Sequence, residues 1–150
     1  MGNTVIAIAC DHGGLELKNE AKAYFDSKNI KYVDFGTDTT ASVNYPDYAR
    51  KVCRAIQNNE ATLGILFCGT GIGMSIAANK HRGIRAACCS DTYSAKLTRM
   101  HNNTNVLCLG GRVLGAGLGI EIIESYLNAE FEGGRHADRV KMIEDIENEQ

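Results

Sequence analysis

The sequence has no apolar run of the about 18 residues that a membrane-spanning helix requires, so no such helix is expected. No basic segment or cleavage site precedes the first apolar stretch, and no signal peptide is expected. There is no basic excess either: 16 Lys and Arg against 18 Asp and Glu leave a net charge of −2. A nucleic-acid binder usually carries a basic domain or stripe, so neither nucleic acid nor a membrane is an expected partner. A small anionic ligand stays open, because a few local arginines suffice to hold one. Proline occurs once, at Pro46, and no linker, repeat or low-complexity stretch interrupts the 150 residues. Residues 1–150 are therefore read as one domain, long enough to bury roughly 70% of its unfolded surface.

Other absences narrow the chemistry. No Cys-x-x-Cys occurs, which argues against a thioredoxin-like redox site. No His/Cys/Asp grouping has zinc spacing, and no Gly-Lys-Ser/Thr marks a phosphate-binding P-loop. The six cysteines, at 10, 53, 68, 88, 89 and 108, lie mostly in apolar runs. Free cysteine behaves as a small buried hydrophobe, so a reduced, cytoplasmic protein is expected rather than a disulfide framework.

What is present is an alternation of short apolar runs with amphipathic stretches. Val5–Cys10, Lys31–Phe35, Leu63–Cys68, Arg85–Cys89 and Val106–Leu109 read as strands, most of them continuously apolar, as strands covered on both faces should be. Between and after them Leu17/Ala21/Tyr24/Phe25, Tyr48/Val52/Ala55/Ile56, Tyr93/Leu97/Met100, Ile120/Ile123/Leu127 and Val140/Ile143/Ile146 repeat at helical spacing. Ser90-Asp91 supplies N-cap chemistry to the helix after the fourth strand. The pattern predicts an α/β protein with a parallel sheet between helices, and a ligand crevice beyond the carboxyl ends of the strands.

Polar and glycine-rich segments come directly after those strand ends: Asp11-His12-Gly13-Gly14, Gly69-Thr70-Gly71-Ile72-Gly73, Ser90-Asp91 and Gly110-Gly111-Arg112. The Gly69–Gly73 loop would let backbone N–H groups approach an anion at a helix start, or be no more than a tight turn. Cys68 stands directly before it. A helix N-terminus stabilises a thiolate, which could serve as nucleophile or base. A cysteine phosphatase needs an arginine six residues after its cysteine, and that position is Met74. The remaining cysteines are read as core. Arg135 and Arg139, four apart, could share a helix face and clamp a phosphate, or be a solvated face paired with Glu132 or Asp138. His12 and His101 are the titratable candidates near pH 7, His101 either for acid–base work or simply to satisfy the dipole at a helix end, while His81 reads as a solvated basic turn.

Taken together, Asp11-His12-Gly13-Gly14, Cys68 to Gly73 with Ile76-Ala77-Ala78-Asn79-Lys80, Gly83-Ile84-Arg85-Ala86, His101 to Asn105, Gly111-Arg112-Val113 and Glu132 to His136 resemble the ribose-5-phosphate isomerase B family. The resemblance runs from the first strand into the last helix. It implies a Rossmann-like three-layer αβα sandwich of five parallel strands in the order 2-1-3-5-4. It also implies an aldose–ketose isomerase of D-ribose 5-phosphate and D-ribulose 5-phosphate in the pentose phosphate pathway, with no metal or organic cofactor. The partner it implies is a second copy, in a homodimer sometimes paired into tetramers, with His101, Asn102 and Arg112 supplied across the interface.

By matching position, the family roles fall on individual residues. Cys68 would be the base, Thr70 would move a proton between O1 and O2, and His101, aided by Asp11, would open the furanose. His12, Arg135 and Arg139 would hold the phosphate. Asn102 and the N–H groups of Gly69, Thr70, Gly71, Ile72 and Gly73 would stabilise the enediolate, while Tyr45, Arg112 and His136 line the sugar. A branch of the family with a glutamate in place of the cysteine is set aside, since Cys68 is present and the loop position is Met74. The alternatives are an allose- or galactose-6-phosphate isomerase and, from another class, a sugar-phosphate-binding module without catalysis.

Overall fold

The computed structural model describes residues 2–150. Its elements run in the order β1 (Ile6–Cys10), α1 (Leu15–Ser27), β2 (Tyr32–Asp34), α2 (Tyr45–Gln57), β3 (Leu63–Cys68), α3 (Ile72–Ala78), β4 (Ala86–Cys88), α4 (Thr92–Asn102), β5 (Val106–Gly110), α5 (Ala116–Leu127) and α6 (Arg135–Asn148). The five strands form one parallel sheet in the order β2-β1-β3-β5-β4.

Alternation along each strand divides the core in two. Ile6, Ile8 and Cys10 of β1 and Ile65 and Phe67 of β3 point toward α1, α4 and α5, where Leu17, Phe25, Ala95, Ile122 and Tyr126 are buried. Ala7, Ala9, Leu66 and Cys68 point the other way, toward Val52 and Cys53 of α2 and Met74 and Ala78 of α3. The three central strands are buried at every position, which is why they read as continuous apolar runs. The edge strands β2 and β4 are only three residues long and partly exposed. Cys88 on β4 is accordingly exposed, not core as its apolar neighbours implied.

Caps and short anchors finish the helices. Asp91 accepts from the Ser94 N–H at 2.6 Å as N-cap of α4. His81 does not stand free in solvent: its Nδ1 lies 3.0 Å from the Ala77 carbonyl and 3.2 Å from that of Ala78, at the end of α3.

The strand order sets where a ligand can sit. From β1 the chain goes outward to β2, then returns to place β3 on the other side of β1. The loops after β1 and β3 therefore diverge at the carboxyl edge, at a topological switch point.

Candidate active site

Cys68 is the last residue of β3 and only 5% exposed. Three residues on, Gly71 takes φ +81°, a left-handed conformation in which an L side chain is strained. There is no room for one in any case, since a Cβ would lie 3.0 Å from both Cys88 Sγ and the Leu109 backbone. That conformation turns the Gly71 N–H onto Cys68 Sγ at 3.1 Å. Among the described residues no other cysteine sulfur accepts from a backbone N–H. Burial holds other thiols protonated, pushing Cys10 and Cys89 up to about 11 and Cys53 up to about 12.

Two donors expected for the enediolate are thus already engaged. Gly71 N–H serves the sulfur, and Ile72 N–H donates to Thr70 Oγ1 at 3.3 Å. The N–H groups of Gly69, Thr70 and Gly73 have no acceptor among the described residues.

Neighbouring loops close around this point. Asp11 Oδ1 accepts from Gly13 N–H at 2.8 Å and from Gly14 N–H at 3.2 Å, so the carboxylate braces its own turn. The Val43 N–H donates to His12 Nδ1 at 3.3 Å, which leaves Nε2 to carry the proton of the neutral ring. Arg112, after β5, donates its N–H to the Gly69 carbonyl at 3.0 Å. Its guanidinium lies over the Gly69 Cα, with Nη1 3.5 Å from where a Cβ would stand. Arg112 thus lines the Cys68 crevice of its own chain. The Tyr45 ring, at the start of α2, covers Gly73, where a Cβ would fall 2.7 Å from it. A concavity of about 600 Å³ lies beside Tyr45, lined by Val43, Asn44, Asp47, Tyr48, Arg50, Lys51 and Arg54, and does not include Cys68.

The other half of the expected site is elsewhere. His101 and Asn102 end α4, which runs back to the amino edge of the sheet before β5 begins at Val106. The Glu132 N–H donates to the Met100 carbonyl at 3.0 Å, which brings the start of α6 to the same place. His136 stacks on His101 with ring centroids 4.1 Å apart and planes 6° from parallel. Arg135 and Arg139 occupy α6 four residues apart, exposed and without a carboxylate within 4.0 Å among the described residues. Glu132 pairs not with them but with the two histidines, and sequence reading missed it. The available signal was its spacing of four residues from His136.

One chain therefore holds Asp11, His12, Tyr45, Cys68 to Gly73 and Arg112 at the carboxyl edge of its sheet. It holds His101, Asn102, Arg135, His136 and Arg139 at the amino edge. The fold is that of an α/β protein with a thiol-bearing crevice at the carboxyl edge of its sheet. A family model described as Ribose/Galactose Isomerase matches residues 6–143. Ribose-5-phosphate isomerase B of Escherichia coli is 49% identical over 142 residues, 95% of each chain. Among solved structures, ribose-5-phosphate isomerase B of Clostridium thermocellum superposes with TM-score 0.96 at 47% identity, covering 97% of this chain and 99% of that one. The enzyme of Mycoplasma genitalium, solved with ribulose-5-phosphate bound, gives 0.93 at 41% identity over 99% of each chain. The chain belongs to the ribose/galactose isomerase family.

Proposed function

We propose that the chain is an isomerase that interconverts D-ribose 5-phosphate and D-ribulose 5-phosphate in the pentose phosphate pathway, acting as a single domain over residues 1–150 with Cys68 as its base. The observation that carries the chemistry is the Gly71 N–H aimed at Cys68 Sγ from 3.1 Å. A backbone donor fixed on the sulfur is placed to hold it while it takes and returns a proton. The bound ribulose-5-phosphate of the Mycoplasma genitalium relative supports the choice of substrate.

The reaction can be built from the groups at hand. In the open aldose the carbonyl is at C1, and Cys68 thiolate takes the proton from C2. The electron pair flows into C1–O1 and gives an enediolate. The free N–H groups of Gly69, Thr70 and Gly73 are the donors left to meet the developing negative oxygen. Thr70 passes the hydroxyl proton from O2 to O1, and the Cys68 thiol returns its proton at C1, leaving the ketose. No electron leaves the sugar, so no redox cofactor is needed. Anchoring the phosphate away from the reacting carbons positions them against the sulfur.

The site is completed by a second copy. His101, Asn102, Arg135, His136 and Arg139 of the partner subunit meet Asp11, His12, Tyr45, Cys68 and Arg112 of the first, so that a homodimer has two sites, and dimers can pair into tetramers. The separation of the two groups within one chain supports this arrangement. Six unpaired cysteines, with no helix among the described residues long and apolar enough to cross a membrane, support a cytoplasmic location.

The direct test is a side-by-side assay of purified protein on ribose 5-phosphate, allose 6-phosphate and galactose 6-phosphate. The expected result is a kcat/KM for ribose 5-phosphate that exceeds the other two by at least tenfold. A preference for either hexose phosphate would overturn the substrate, and binding without exchange of the C2 hydrogen in deuterated water would overturn the isomerase.

A further inference from the structure

The amino-edge cluster contains one group that the isomerisation mechanism does not use. Glu132 Oε2 lies 3.3 Å from His136 Nε2 and 3.8 Å from His101 Nε2. The carboxylate is in the loop before α6, and its own N–H is fastened to the Met100 carbonyl, one residue before His101. The same short segment therefore locates both the carboxylate and the end of the helix that carries His101. No lysine or arginine lies within 4.0 Å of Glu132 among the described residues, so the two imidazoles are its charge partners.

We propose that Glu132 is the positioning residue for sugar-ring opening, acting through His101, which rests on the isomerase reading. Two imidazoles stacked 4.1 Å apart have no mutual hydrogen bond to fix their rotation or tautomer. A carboxylate facing both Nε2 atoms biases each. At 3.8 Å it acts on His101 through charge, not through a hydrogen bond, and a negative charge on that side favours the Nε2–H tautomer, which leaves Nδ1 as the acceptor of the neutral ring. It also offsets the charge His101 gains when it takes a proton, as the carboxylate of a catalytic triad does for its histidine. The parallel stack points away from a metal at this trio. Lone pairs lie in the ring planes, so two parallel rings cannot aim both nitrogens at one ion at the about 2.0–2.1 Å a zinc–nitrogen bond requires.

The step served is proton transfer without redox change. The C1 hydroxyl gives its proton to His101 Nδ1, the C1–O4 bond breaks as C1=O1 forms, and His101 passes that proton on to O4, so the ring ends neutral again. The aldehyde that results is the form from which Cys68 can remove the C2 hydrogen. Glu132 touches no substrate atom in this scheme. It sets the orientation and charge of the ring that does.

The test separates ring opening from isomerisation. In Cys68→Ala protein with ribose 5-phosphate, magnetisation-transfer NMR reads the exchange of α and β anomers, which requires opening and reclosing. That variant is expected to form no ketose yet still to accelerate anomer exchange over buffer. Adding Glu132→Gln should cut this acceleration at least tenfold, with Glu132→Asp restoring part of it and phosphate affinity within threefold throughout. Glu132 is exposed, so neither change should disturb folding, and thermal melting checks that. Anomer exchange equally fast with and without the Gln substitution would overturn the proposal. So would a Cys68→Ala protein that never accelerates exchange. Ketose formation by Cys68→Ala would instead refute the base assignment while leaving the Glu132 comparison readable.

Discussion

Cys68 and His101 stand at opposite edges of one sheet. Val106, the first residue of β5, pairs with Gly64 near the start of β3, and Cys68 ends that strand opposite Gly110. Four residues of strand separate the two levels, roughly 13 Å at 3.3 Å per residue. His101 lies before Val106, beyond the near level, so no side-chain rotation within one chain brings its imidazole to the sulfur. A thiolate base and a ring-opening histidine can serve one sugar only if two copies present opposite edges to each other.

Replacing Cys68, the proposed base, should affect turnover and little else. Cys68→Ala is expected to lower kcat on ribose 5-phosphate at least a thousandfold, within the range for a positioned general base, while KM stays within about threefold. Ketose formation and exchange of the C2 hydrogen in deuterated water both report it. Turnover near wild type would remove the sulfur from the mechanism.

Gly71 tests whether the N–H aimed at that sulfur matters. Gly71→Ala puts a methyl 3.0 Å from Cys88 Sγ and the Leu109 backbone at a φ of +81°. The left-handed conformation alone costs about 1–2 kcal/mol in a non-glycine residue, or about 2–8 °C in Tm for a chain of this size. Relaxing the clash must move the loop, and kcat should fall at least tenfold. Gly83→Ala is the control. Its φ is +73° and a Cβ there meets nothing within 4 Å. It should lose the Tm that the left-handed conformation alone costs and keep its kcat. Equal loss of kcat in both would show that general destabilisation, not the Cys68 contact, is being read.

Arg135 and Arg139 present two guanidiniums from one helix face, and a charged hydrogen bond contributes about 1.5–3 kcal/mol. Alanine at either position should raise KM by about tenfold to a hundredfold with kcat changed far less, and should weaken competitive inhibition by inorganic phosphate to the same degree. A fall in kcat at constant KM would move both residues out of the phosphate site.

Lys18, fully buried in α1, donates to Asp34 Oδ1 at 2.7 Å and to the Thr37 carbonyl at 2.8 Å. Burial alone would raise the Asp34 carboxyl, but the Lys18 ammonium, the Gly36 N–H and the Lys22 ammonium hold it below its ordinary value. A carboxyl depressed in the folded state adds stability that is present above its unfolded pKa, about 3.9, and is lost as pH falls through its folded value. Asp34→Asn should therefore cost stability at pH 7, where the urea midpoint drops, and lose that disadvantage progressively below about pH 4. Lys18→Met leaves the carboxylate half-buried without its main partner and should cost about 3–5 kcal/mol at pH 7. A constant gap between wild type and Asp34→Asn from pH 7 to pH 3 would contradict this reading.

The sheet was legible because its three central strands are covered on both faces, so Ile6–Cys10, Leu63–Cys68 and Val106–Gly110 show no polar interruption. The short edge strands show less of this, and Cys88 was misplaced because an apolar neighbourhood does not reveal an edge. Cys68 and its loop were legible from a general rule: the segment after a parallel strand lies at the ligand edge. His101 and Asn102 precede a strand and lie at the far edge, but only the family resemblance, not the strand pattern, set them apart from Cys68. Arg112 comes after β5, and by the same rule lies on the Cys68 side of its own chain. Lys18 lay within an amphipathic pattern, and nothing local showed that Asp34, sixteen residues on, would draw it inside.

Mixing two inactive proteins tests the divided site most directly. Cys68→Ala and His101→Ala, each made as a pure protein and then unfolded and refolded together in equal amounts, form hybrid dimers in which one site carries both substitutions and the other carries neither. Random pairing makes half the dimers hybrid, so the mixture should recover about a quarter of wild-type activity on ribose 5-phosphate. A mixture no more active than its two components would mean that Cys68 and His101 do not act on one sugar from two chains.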